Sequence, residues 1–241
     1  CELGYEKVPD IVADYADHPL LSLISLMDHT PGQRQFAKLE KYKEYYMGKH
    51  GVTEAEIDGF IQARIINQQQ HAIRNRRHLV KLAQTQNISL ASHDDATVDH
   101  VQEAVADGAE IAEFPTTLAA AKEAHRHGLK ILMGAPNLVL GGSHSGNVSA
   151  SELVDLDLVD IFSSDYVPQS LMQAMFLIAR KYPHSLPEIA QRFTLRPAQA
   201  IGLDGDRGSL AIGKQADLVM VHEDGVVPRI LEVRRHGQRV A

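Results

Sequence analysis

The chain has 241 residues, 44% hydrophobic and 23% charged, the composition of a folded soluble protein and not of a disordered or collagenous one. A net charge of −7 argues against a general nucleic-acid binder, and no apolar run approaches the roughly 20 residues that span a bilayer. The one cysteine, Cys1, cannot form an internal disulfide, and CELGYEKVPD at the start lacks the basic and apolar regions of a secretory leader, so a cytoplasmic protein is expected.

In chain order, Leu21 to Met27 is a short apolar run that predicts a buried strand, stopped by Asp28-His29-Thr30-Pro31-Gly32. A mostly helical stretch then runs to about Gln86, with a capping-box pattern at Thr53 and Glu56 and an apolar stripe of Ile57, Phe60, Ile61 and Ile65. Asn87 to Ser92 predicts a second strand, followed by His93-Asp94-Asp95 and a helix capped by Thr97 and ended by Gly108. Glu110 to Phe114 is a third predicted strand, and a helix from Leu118 to His127 stops at Gly128. Lys130 to Gly134 is a fourth strand, Ala135 to Ala150 reads as a long Gly/Ser loop, and Val159 to Ser164 is a fifth strand ended by Asp165. Helices follow from Pro168 to Tyr182 and again after Ser185 and Glu188, a second capping box. Ser209 to His222 and Arg229 to Val240 read as short strands with turns, a small β appendage.

This alternation implies a parallel sheet with right-handed crossovers, either doubly wound or closed as a barrel. Neither a GxGxxG nor a P-loop sequence is present, which lowers the doubly wound nucleotide-binding option. In parallel α/β folds the residues just past the carboxyl ends of strands converge on one face. Here they include Asp28-His29, His93-Asp94-Asp95 and Asp165. Imidazoles and carboxylates from separate strands suit a divalent metal such as Zn, Mn, Fe or Ni, which lowers the pKa of bound water to about 7. Simpler roles compete with that one. A histidine after a strand is commonly a hydrogen-bonded loop residue, and Asp94, Asp95 or Asp165 suits a helix N-cap. Charge is also uneven: Arg34 to Lys81 carries ten Lys/Arg against five Asp/Glu, while the rest of the chain is acidic. That pattern marks either a local anion site or a solvated helical face.

The tail from Leu195 to Val221, with Pro197-Ala198, Gly208, Gly213-Lys214 and Ala216-Asp217-Leu218-Val219, resembles the closing segment of the amidohydrolase superfamily. SLMDHTPGQRQF (Ser25 to Phe36), SHDDAT (Ser92 to Thr97), AEFPTT (Ala112 to Thr117), GAPNLVLGGSHSGN (Gly134 to Asn147) and IFSSDYVPQSL (Ile161 to Leu171) are similar to a narrower branch, the diphosphatases of the phosphonate carbon–phosphorus lyase pathway. The resemblance implies an α/β fold, a distorted (β/α)₈ TIM-like barrel over residues 1–206 with a basic helical insert at about 34–86, and a small C-terminal β-domain over 207–241. It implies a metal-dependent phosphoanhydride hydrolase that releases pyrophosphate from a ribosyl phosphonate triphosphate. Two divalent ions (Zn, Mn, Fe, Ni or Mg), a homo-oligomer, and no nucleic-acid or membrane partner are expected with it.

Carried over residue by residue, the resemblance makes His29 and His93 metal ligands and Asp165 both a ligand and the acceptor of a proton from the attacking water. Glu2 matches a bridging carboxylate, while Asp28 and Asp94 are ligands or orient the histidines. A triphosphate brings about four negative charges, for which Arg34, and more weakly Lys38, Lys41 and Lys49, are candidate partners. Gly141, Gly142, Ser143 and Ser145 are expected to fold amides around phosphate oxygens, with His144 as an acid on the leaving pyrophosphate. The superfamily's His-x-His pair after the first barrel strand has no counterpart: His125-Arg126-His127 reads as a helix end. The first barrel strands are therefore expected to be missing from this chain. Two other readings stay open, a C–N-cleaving amidohydrolase (a deacetylase or dihydroorotase type) and an inactive phosphate-binding fragment.

Overall fold

A computed structural model describes residues 1–36, 39–51, 53–142, 146–182, 185–225 and 227–241. The chain divides into two compact units, one built on Cys1–Ile131 and the other on Ser149–Ala241, with the segment between shared out between them.

The first unit opens with helix α1 (Val8–Ala13) and strand β1 (Leu23–Leu26). A 3-10 turn at Arg34–Phe36 leads into α2 (Leu39–His50) and the 33-residue α3 (Glu54–Gln86). Then come β2 (Ser89–His93), α4 (Val98–Asp107), β3 (Ile111–Glu113) and α5 (Leu118–Arg126). The strands pair in parallel, Ile24 beside Leu90 and Ala91 beside Ile111. Glu2 adds a bridge to Met27 in the same sense, so Cys1 to Leu3 acts as a strand stub beside β1. Ile24, Leu26, Leu90, Ala91, Ile111 and Ala112 are all buried, as a sheet covered on both faces requires.

The helix ends follow from sequence chemistry. Thr53 and Glu56 form the expected capping box on α3, and Asn87 ends that helix in the left-handed region at φ 54°. Thr97 and Thr117 cap α4 and α5 with their hydroxyls, and Gly108, at φ 82°, stops α4. The basic insert has its own small core, with Phe36, Tyr42, Ile57 and Ile61 buried against Tyr46, Met47 and Ile65. Its long helix also clasps the start of the chain, since the buried Asn75 amide donates to Leu3 O at 2.9 Å and to Tyr5 O at 2.6 Å.

β4 (Lys130–Gly134) begins in the first unit and continues into the second, where Leu132 to Gly134 pair in parallel with β5 (Ile161–Ser163). The second unit also holds α6 (Ala135–Val139), α7 (Ala150–Asp155), α8 (Ser170–Lys181), α9 (Leu186–Gln191) and α10 (Leu195–Ala200). A separate antiparallel sheet follows, made of β6 (Leu218–His222), β7 (Arg229–Arg235) and β8 (Gln238–Arg239). Five parallel strands are present among the described residues, too few to close an eight-stranded barrel.

One expectation needs correction: Ala135 to Val139 is helical, not loop, because Pro136 sits in the first turn, where its missing N–H has no cost. The strand-and-turn tail divides into turns over 209–217 and the strand Leu218–His222, with Leu210 and Ile212 exposed.

Candidate metal centre

Three strand ends of the first unit converge. His29 lies three residues past β1, His93 ends β2, and Asp94 follows it with its backbone in the left-handed region at φ 55°. An aspartate tolerates that conformation, and there its amide donates to Glu113 O at 2.9 Å. The Asp94 carboxylate then sits beside both imidazoles. Its Oδ2 is 3.3 Å from His29 Nε2 and 3.5 Å from His93 Nε2. This oxygen is buried and makes no hydrogen bond. A buried carboxylate oxygen is costly unless a cation satisfies it, either a protonated His29 or a metal ion. One ligand atom from each of His29, His93 and Asp94 lies within 4.8 Å of the others, a spacing that suits one divalent ion. The donor set of two imidazoles and one carboxylate fits Zn, Mn, Fe or Ni.

Each imidazole is gripped on its far side by a glutamate. Glu2 Oε2 lies 2.7 Å from His29 Nδ1, and Glu2 Oε1 accepts the His29 backbone N–H at 3.0 Å. Glu113 Oε2 lies 2.7 Å from His93 Nδ1. Burial alone would lower the pKa of His29, but the Asp94 and Glu2 carboxylates outweigh it and raise it to about 9. Burial opposes ionisation of Glu2 and Glu113 too, yet hydrogen bonds to the histidines hold both below the usual carboxylate range. The sequence reading omitted Glu113. It closes β3 directly opposite His93, a pairing set by the sheet register and not marked by any sequence motif.

Asp28 and Arg34, also expected at the site, stand outside this group. Asp28 is buried but faces Gln68 Nε2 at 3.0 Å and the Thr30 amide at 3.1 Å, outside the His29–His93–Asp94 group. Arg34 points inward, pairing with Asp95 and donating to His93 O at 3.0 Å. Its guanidinium thus anchors the loop behind His93. The Gly141 and Gly142 amides donate to Leu138 O and Asn137 O and close α6, so these two donors are already engaged. Ser143, His144, Ser145 and Lys38 lie outside the described residues, as do the side chains of Lys41 and Lys49. Asp165 belongs to the second unit, just past β5, at φ 47°. A Cβ on Gly134 would come within 3.2 Å of Asp165 Oδ2, so the glycine gives that carboxylate its room. His125 and Arg126 occupy the last turn of α5, as expected.

The sequence profile of the amidohydrolase family matches residues 33–233. This chain belongs to the amidohydrolase family. It is 46% identical over its whole length to the alpha-D-ribose 1-methylphosphonate 5-triphosphate diphosphatase of Escherichia coli strain K12, and spans 64% of that protein. Among solved structures, the N-acetylglucosamine-6-phosphate deacetylase of Pasteurella multocida shares its fold with a TM-score of 0.55 at 13% identity, covering 97% of this chain and 70% of that one. A Xaa-Pro dipeptidase with bound methionine matches at a TM-score of 0.50 and 15% identity, covering 68% of this chain and 48% of that one. At those identities the likeness concerns the fold alone. No described helix is long and apolar enough to cross a membrane.

Proposed function

We propose that this amidohydrolase-family chain carries the metal-binding part of a hydrolase that cleaves alpha-D-ribose 1-methylphosphonate 5-triphosphate to the 5-phosphate and pyrophosphate. The observation that carries the reading is the 46% identity to the E. coli diphosphatase across the whole length of this chain. A divalent cation held by His29 Nε2, His93 Nε2 and the Asp94 carboxylate would supply Lewis acidity and an acidified water at neutral pH. The chain's own residues do the rest. Glu2 and Glu113 hold the imidazoles so that both Nε2 atoms face Asp94. On this reading Asp165, whose carboxylate has its room because residue 134 is glycine, is the acceptor of the proton from the attacking water. The same reading implies a cytoplasmic homo-oligomer using two divalent ions and acting on a phosphorylated sugar, not on nucleic acid or membrane.

The test is a product assay with metal-loaded protein. Pyrophosphate released from the ribosyl triphosphate supports the reading. No pyrophosphate, with acetate released from an N-acetylated sugar instead, overturns it in favour of C–N cleavage.

A further inference from the structure

We infer that Glu113, held by Ser25, is a positioning residue that fixes the orientation and tautomer of His93 at the metal centre. The inference deepens the proposed function and rests on its metal-site reading. Three strands contribute to the arrangement. His93 and Glu113 face each other in register across β2 and β3, and Ser25 stands on β1 opposite Ala91, two residues before His93. Glu113 Oε2 sits 2.7 Å from His93 Nδ1, the nitrogen remote from Asp94. Ser25 Oγ donates to the same glutamate oxygen and lies 3.4 Å from that nitrogen.

A carboxylate can only accept here, so Nδ1 must carry the proton and donate it. The lone pair is then left on Nε2, which faces Asp94 Oδ2 at 3.5 Å. Without Glu113, His93 would be free to populate the other tautomer, with a proton where the metal should bind. It would also lose the contact that stops its ring from turning. Partners of this kind commonly account for about 10- to 100-fold in metal affinity. Glu2 grips His29 Nδ1 at 2.7 Å in the same manner, so the device occurs twice in one site.

The experiment is a zinc titration against a competing chelator, run beside ¹⁵N-histidine NMR of the zinc-free protein. Wild type is compared with Glu113→Ala, Glu113→Gln, Ser25→Ala and His93→Ala. Glu113→Ala is expected to weaken zinc binding by about 10- to 100-fold and to shift the His93 nitrogens toward a mixed tautomer. Glu113→Gln retains a neutral acceptor and should lose less, and Ser25→Ala less again. If Glu113→Ala does not fold, Glu113→Gln carries the test, and any loss of affinity with a His93 shift supports the role. Wild-type affinity and unchanged His93 shifts in the Glu113 variants overturn it. If His93→Ala alone loses zinc, the metal site stands and only the positioning role falls. If wild type binds no zinc, the metal-site reading falls and takes this inference with it.

Discussion

Arg34 and Asp95 form an ion pair in which both side chains are buried, at 6% and 1% exposure. The pair ties the start of the basic insert to the loop that carries His93 and Asp94. Asp95 is held further by Ser92 Oγ at 2.5 Å, and its carbonyl accepts the Thr116 amide at 2.9 Å. Removing one partner of a buried pair strands a charge, which costs about 3–5 kcal/mol. Arg34→Ala should therefore lower stability by that amount in urea unfolding. Arg34→Met combined with Asp95→Asn should recover much of the loss. An Arg34→Ala variant that keeps full stability and only raises KM would make Arg34 a substrate contact instead.

Gly134→Ala tests the room left for Asp165. The added methyl would stand 3.2 Å from Asp165 Oδ2, closer than ordinary van der Waals contact. The carboxylate must then shift by a few tenths of an ångström. Turnover should fall at least about 10-fold while zinc affinity and the melting temperature change little, because misplacing a reacting group by about 1 Å can cost 10²-fold. Unchanged kcat in this variant would separate Asp165 from the reaction.

Asp165→Asn tests the role proposed for Asp165 as proton acceptor. The amide is nearly isosteric but cannot take up a proton at neutral pH. The folded protein should keep its circular dichroism spectrum and lose turnover by about 10²- to 10⁴-fold. Near-normal rates would remove Asp165 from the mechanism.

The helix caps offer a test of the local fold that is independent of function. Thr97 accepts the His100 amide at 3.2 Å and begins α4, whose Val101 and Ala104 are fully buried. Thr97→Ala should cost about 1 kcal/mol of stability by thermal or urea unfolding, in line with other lost caps. No measurable change would mean that another group satisfies the first turn.

Much of this architecture is legible in the residues, for physical reasons. Thr53, Thr97 and Gly108 punctuate helices by local chemistry, so their roles needed no tertiary context. The strand-end rule found His29, His93 and Asp94 because chain direction alone brings those positions to one face. Glu113 was missed because β3 is only three residues long, and the sequence does not say which residue it faces across the sheet. The inward placement of Arg34 was not legible for a related reason. Net charge in a segment marks an excess of cations, but only packing decides which of them is turned inward onto a carboxylate.

The central claim is that His29, His93 and Asp94 hold a divalent ion that the hydrolysis needs. Its most direct test counts bound metal and pyrophosphate release together in one protein sample. Chelation should abolish release from the ribosyl triphosphate, and stepwise return of zinc or manganese should restore it in proportion to metal bound. Asp94→Asn should blunt both. Full turnover in chelated protein, or metal bound equally well after Asp94→Asn together with His93→Ala, would contradict the account.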